Sequence, residues 1–156
     1  LAEMRTILLE LRPTAISRTA LRDLLEQLAN AFSGKTDVKI QISADEVCLL
    51  PEVVHVAFYR IAQEALTNAI KHARACQVQV NLRCETLETQ RANKNKIVLE
   101  ICDDGCGFDP AVENSGRFGL TDMRERAQQI GAKFIVESSQ GKGTCIQIEW
   151  VGRAAR

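Results

Sequence analysis

Residues 51–75 carry the pattern that most restricts how this chain can fold. Val53, Val54, Val56, Ala57, Phe58, Ile61, Ala62, Ala65, Leu66, Ala69 and Ile70 cover most of the surface of a helix with apolar side chains. Such a helix has to be buried on nearly every side. One strip breaks the pattern. Glu64, Asn68 and His72 recur at i, i+4 and i+8. Four residues advance a helix by about 400°, so the three form a single polar column. A carboxylate, an amide and an imidazole in file on an apolar helix are costly unless something meets them. The remainder of the chain has to supply that partner.

The flanking segments suit two layers. LAEMRTILLELR at 1–12 has Met4, Ile7, Leu8 and Leu11 at helical spacing, ended by Pro13. A helix is expected over about 17–32, with Leu21, Leu24, Leu25 and Leu28 on one face and Ser33-Gly34-Lys35 as its stop. A strand follows at 38–42, then Pro51 opens the long helix, expected to reach about Arg74. QVQVNLR at 77–83 alternates as a strand, and residues 85–96 are expected to be a loop. IVLEIC at 97–102 reads as a central strand ended by DDGCGFDP. A flexible segment then reaches Gly119, and Thr121-Asp122 provides helix-start chemistry for a helix to Ile130 that Gly131 stops. A hairpin of 133–138 and 144–150 closes the chain. Strands wet on one face place the helices on the other. The expected fold is α/β (α+β): a two-layer sandwich with a mixed, mostly antiparallel sheet and helices on one face.

Several classes are excluded. Lys plus Arg and Asp plus Glu both total 20, so the zero net charge argues against a nucleic-acid surface built on bulk charge. No apolar run reaches 18 residues, so no membrane span is expected. The opening in mid-helix pattern, on Leu rather than Met, is read as a piece of a longer protein. Cysteines at 48, 76, 84, 102, 106 and 145 form no CxxC pair, and neither histidine stands at zinc-ligand spacing to them. They are expected to be reduced thiols used as small hydrophobes.

Three glycine-bearing turns lie in the second half: DDGCG at 103–107, GRFGL at 116–120 and GKGT at 141–144. Glycine lets backbone N–H groups approach an anion, and a helix N-terminus favours negative charge. Neither GxxxxGK[ST] nor a strand–GxGxxG–helix unit is present. The order of the pieces is informative. A polar helix column is followed by strand–DDGCG, GRFGL–helix and GKGT between strands. That order resembles the GHKL ATPase superfamily of histidine kinases, gyrase B subunits and MutL. QEALTNAIKHA is similar to the N box of sensor histidine kinases, and DDGCGFD, GRFGLTDMRERA and GKGT to their three glycine boxes. NxxKHA with GLxxMRERA, and the upstream LRP, resemble the subfamily that pairs with NarL-type response regulators.

The resemblance implies a Bergerat-type ATP-binding fold over 17–156 and, at 1–16, the end of a dimerisation and phosphoacceptor helix. It implies a protein-histidine kinase in the cytoplasm, homodimeric as a whole, using ATP and Mg²⁺. Asn68 would ligate Mg²⁺, and Glu64 would take or orient the proton of the nucleophile, beside the γ-phosphate. Lys71 and His72 would contact phosphate oxygens. Asp103 would accept from the adenine amino group, with Gly105 and Gly107 letting the base approach. Gly119 and Leu120 would face the phosphates, Thr144 would support Asp103 or a water beside the adenine, and residues 108–118 would be a lid. On the residues alone Glu64 also suits an ion pair with Arg60, His72 a C-terminal helix cation and Lys71 a solvated lysine. His55 reads as structural. Neither histidine is followed by an acidic residue, so the phosphoacceptor is expected outside this chain, among its own helix bundle, and the chain alone is not expected to phosphorylate itself. Rival readings are a serine kinase of the anti-sigma-factor type, a docking module without catalysis, and a clamp ATPase.

Overall fold

The computed structural model describes residues 16, 18–46, 49–89, 92–109 and 118–153. Expectations for the 1–12 helix and for most of the 108–118 lid therefore lie outside the described residues. The elements in chain order are α1 Leu21–Ser33, β1 Lys39–Ala44, α2 Glu52–Lys71, β2 Gln77–Thr89, β3 Ala92–Asp103, α3 Phe118–Gln129, β4 Lys133–Ser138 and β5 Thr144–Gly152. The strands form one sheet in the order β1-β2-β3-β5-β4. β1 and β2 are parallel, joined through α2, and the other pairs are antiparallel. A mixed, mostly antiparallel sheet with its helices on one face is what the alternation implies.

Side-chain parity sets the layers. Val80, Ile101, Ile146 and Val136 form one row across the sheet, and Leu82, Leu99, Ile148 and Phe134 the next. Their inward side chains meet Phe58, Ile61, Ala62, Ala65 and Leu66 of α2 in one core. Burying each large side chain contributes roughly 1.5–3 kcal/mol. α1 adds Leu21, Leu24, Leu25 and Leu28, and α3 adds Met123 and Ala127. The Asp122–Arg126 ion pair on α3, 2.7 Å long, joins half-exposed side chains. It is worth under about 1 kcal/mol, so Met123 and Ala127 hold the helix in place.

Several boundaries differ from the sequence reading, beginning with α1, which starts at Leu21 behind the Ala20 cap rather than near residue 17. α2 stops at Lys71 rather than Arg74, because the N–H groups of His72 and Ala73 both bond the Asn68 carbonyl and Arg74 turns to φ +53°. Pro51 sits one position earlier than expected, as the cap whose carbonyl accepts from the His55 N–H at 2.9 Å. The expected loop at 85–96 is instead the far end of a long β2–β3 ladder that pairs as far as Thr89 and Ala92. Beyond Ile97 the ladder runs past the core, so its sequence lacks the alternation that marks a strand. α3 includes Phe118 and Gly119, and Asp122 pairs with Arg126 instead of capping. Gly131, at φ +67°, stops that helix as expected, with Ala132 N–H bonding Ala127 O.

The cysteines are also corrected. Cys102 and Cys145 are register partners on the open face of the sheet and form a disulfide, and Cys84 is disulfide-bonded too. Cys76 and Cys106 are free and exposed. Partners 43 residues apart become neighbours only through the β3–β5 register, which no local pattern encodes.

His55 is 6% exposed, and its Nε2 has no hydrogen-bond partner among the described residues. Burial lowers its pKa, so it is held neutral in the folded chain. The unfolded chain takes up the proton first on acidification. The stability tied to neutral His55 is therefore present above about pH 6.5 and lost as pH falls below it. Melts by circular dichroism should show His55→Met losing less stability than wild type between pH 7.5 and 5.5. Equal losses would remove His55 from the acid response.

Candidate functional site

The parity that builds the core also delivers the site. One step beyond the apolar rows, Val78, Asp103, Thr144 and Ser138 lie in register across β2, β3, β5 and β4. Asp103 therefore projects toward the helix layer from the end of an apolar strand. Asp104, of opposite parity, turns outward, and its Oδ1 accepts the N–H groups of Cys76 and Gln77 at 2.8 Å each. These bonds, Gln77 first, hold its carboxyl below the usual carboxylate range. Burial pushes the Asp103 carboxyl up, opposed by N–H donors from Gly105, at 2.9 Å, and Thr144. The two adjacent aspartates thus divide the work: Asp104 fastens the turn to β2, and Asp103 faces inward.

Asp103 borders a cavity of about 480 Å³, within the ~300–1,000 Å³ usual for small-molecule sites. Glu64, Asn68 and His72 line one wall, so the polar column of α2 meets the row from the sheet. Ala65, Ala73, Leu120 and Ile146 supply apolar surface, and the Cys106-Gly107-Phe108 turn and Phe118-Gly119 complete it. Gly119 lies directly on the column: a Cβ there would overlap Glu64 Oε1 and come within 3.1 Å of Asn68 Nδ2. The turn is fastened to the end of α2, with Cys106 N–H on Ala73 O at 2.7 Å and no room for a Cβ at Gly105 beside Ala73. Gly107, at φ +57°, packs on the carbonyls of Ser139 and Gly143, which ties the first glycine turn to the third.

Eight of the ten expected site residues line this cavity: Glu64, Asn68, His72, Asp103, Gly107, Gly119, Leu120 and Thr144. Gly105 stands behind the turn against Ala73. Lys71 is exposed on a neighbouring face of α2 and does not line the cavity. Arg60, the alternative partner for Glu64, hydrogen-bonds Gln63 Oε1 at 3.0 Å. Ser138 and the anchoring role of Asp104 escaped the sequence reading. The signal for Asp104 was strand parity, which sends adjacent aspartates to opposite sides. Ser138 had no local signal, because its importance comes from lying opposite Thr144.

The donor set has a clear chemical bias. Among the described residues lining the cavity the ionisable groups are two carboxylates, one imidazole and the Cys106 thiol, with no Lys or Arg. A polyphosphate entering beside Glu64 would need a cation, and the oxygens of Glu64 and Asn68 suit a hard one such as Mg²⁺. At the other end, an acceptor in an apolar setting suits a flat base carrying an amino group.

A sequence profile of the histidine kinase-, DNA gyrase B- and HSP90-like ATPases matches residues 53–153. An uncharacterized sensor-like histidine kinase of Chloroflexus aurantiacus is 37% identical over 94% of this chain, which spans 25% of that protein. The sensor histidine kinase LiaS of Bacillus subtilis is 32% identical over 94% of this chain, which spans 38% of it. The chain thus covers well under two thirds of these relatives. Among solved structures, the blue-light activated histidine kinase EL346 of Erythrobacter litoralis superposes with a TM-score of 0.65 at 25% identity, covering 86% of this chain and 42% of that one. The ATP binding domain of PrrB from Mycobacterium tuberculosis shares the fold at a TM-score of 0.56 and 22% identity, covering 87% and 96%.

Proposed function

Because the chain belongs to the family of histidine kinase-, DNA gyrase B- and HSP90-like ATPases, we propose that it is the ATP·Mg²⁺-binding kinase domain of a two-component sensor histidine kinase. The observation that carries this reading is the convergence in one cavity of the Glu64–Asn68–His72 column with Asp103 and Thr144. These residues come from three motifs far apart in sequence. In this reading residues 17–156 are the catalytic domain and 1–16 the end of the dimerisation helix.

Asp103 and Thr144 hold the adenine against Ile146. Asn68 ligates Mg²⁺ through its amide oxygen, and His72 lies against the polyphosphate. Bound Mg²⁺ supplies neutralisation of phosphate charge in a site whose own carboxylates would repel it. The nucleophile is a histidine imidazole of the dimeric helix bundle. It forms a bond to the γ-phosphorus as the bond to the bridging oxygen of ADP breaks. Glu64 orients the imidazole or accepts its proton. Such transfers depend mainly on positioning and charge. His55 is buried and is not the acceptor. No helix among the described residues is long and apolar enough to cross a membrane. We place the domain in the cytoplasm, where ATP is available. NxxKHA and MRERA favour a NarL-type response regulator as the downstream partner and a histidine over a serine acceptor.

Calorimetric titration with ADP and ATP, with and without Mg²⁺, tests the reading. One-to-one binding strengthened by Mg²⁺ supports it, and no binding at millimolar nucleotide would sink it in favour of a docking module. Asn68→Ala should retain ADP binding while losing most of the Mg²⁺ enhancement, about a tenfold effect for one lost charge-assisted contact. An undiminished Mg²⁺ effect in that variant would remove Asn68 from the metal site.

A further inference from the structure

We propose that Ser138 determines base specificity by committing the proton of the Thr144 hydroxyl, so that the floor of the cavity only accepts hydrogen bonds. This rests on the nucleotide reading of the cavity and extends it to a residue that does not line the cavity.

Among the described residues Ser138 Oγ has three hydrogen-bond neighbours: the Phe108 N–H at 2.9 Å, the Gly143 carbonyl oxygen at 3.0 Å and Thr144 Oγ1 at 3.0 Å. A hydroxyl offers one proton and two lone pairs. A backbone N–H can only donate and a carbonyl can only accept. The Ser138 proton therefore goes to Gly143, and one lone pair receives Phe108. The remaining lone pair can only receive the Thr144 proton. Thr144 Oγ1 is left with lone pairs alone on its other side.

Thr144 and Asp103 are register partners across β3 and β5, so their side chains stand next to each other on the same face. The ionised Asp103 carboxylate is also acceptor-only, and its Oδ1 is already engaged by the Gly105 N–H. Two neighbouring side-chain acceptors, with the Thr144 N–H already spent on the Asp103 carboxyl, suit an exocyclic amino group, which brings two N–H bonds. They oppose a carbonyl oxygen at the same position. The floor selects a 6-aminopurine over a 6-oxopurine, and the Ser138 contact keeps Thr144 from rotating to accommodate the latter.

ADP and inosine diphosphate are the probes, because they differ only in this edge of the base. Their dissociation constants are measured by calorimetry for wild type, Ser138→Ala, Ser138→Thr, Thr144→Val and the double variant Ser138→Ala/Thr144→Val. Wild type should prefer ADP. Ser138→Ala should lower that preference by roughly three- to tenfold, the worth of one hydrogen bond. Ser138→Thr, which keeps the hydroxyl, should restore it. Thr144→Val should match Ser138→Ala, and the double variant should lose no more than either single one. If Ser138→Ala weakens both ligands equally, the residue only braces the hairpin and the proposal is overturned, with the nucleotide reading intact. If wild type binds no ADP, the nucleotide reading fails and the proposal fails with it. Variants whose melting temperature falls are read by the ratio of the two constants, which bracing alone does not change.

Discussion

Asp103→Ala should lower ADP affinity by one to two orders of magnitude, about the worth of a hydrogen bond to a charged group in a half-buried site. The loss comes from a single position because parity leaves Asp103 as the carboxylate that faces inward from β3, while Asp104 is spent on Cys76 and Gln77. Asp103→Asn separates binding from folding. It keeps an acceptor for the Gly105 N–H but turns an amide NH₂ toward the amino group of the base. Burial raises the Asp103 pKa, so the charged form is penalised in the folded chain. Its proton-linked stability is greatest below the unfolded value and declines as pH rises through the folded one. Removing the charge should therefore leave the melting temperature at pH 7 unchanged or higher while affinity falls. Wild-type affinity should also fall on acidification, at a higher pH than an ordinary carboxylate would give. Calorimetry with ADP decides the matter, and equal binding by wild type and both variants would exclude Asp103 from base recognition.

The second large effect concerns backbone. Gly143 has φ +77°, and an added Cβ would collide with the carbonyl oxygen of Asp103. Asp103 is main chain in a paired ladder and Gly143 directly precedes its register partner Thr144, so neither can rotate away. Gly141 has the same φ of +77° but open space around the Cβ position. Gly141→Ala should therefore cost only the conformational strain, about 1–2 kcal/mol. Gly143→Ala adds the collision and should lose at least ~3 kcal/mol in total. For a domain of this size that is a fall of roughly 6–12 °C in melting temperature. ADP binding should weaken as well, because the collision displaces the Asp103 main chain and with it the carboxylate that faces the cavity. Similar melting temperatures for the two variants would mean that φ alone matters and that the close approach is relieved by movement of β5.

What could be read from the chain beforehand follows from the range of the interactions involved. The α2 column was legible because helical periodicity acts over four residues, and Glu64, Asn68 and His72 display it without reference to anything else. The glycine turns were legible as a set through their order. The β2–β3 extension was not, because residues 85–89 and 92–96 pair through their backbones and their sequence carries no apolar alternation. Met123 and Ala127 place α3, so its first turn could begin ahead of the Thr121-Asp122 pair that resembles a cap. Ser138 and the Cys102–Cys145 bond depend on register between strands. Register is a property of the assembled sheet, and only the aligned rows reveal it.

The register that brings Asp103 beside Thr144 also limits which changes in length the gene can accept. A single-codon insertion between Ile97 and Asp103 would turn Asp103 to the open face and present Cys102 inward. A two-codon insertion would restore the face but carry the carboxylate about 7 Å along the strand, past its neighbour on β5. β3 is thus a ruler as well as a wall. Across the lineage of this domain the far end of the β2–β3 hairpin can lengthen or shorten in paired steps, while the seven residues from Ile97 to Asp103 have to keep their number.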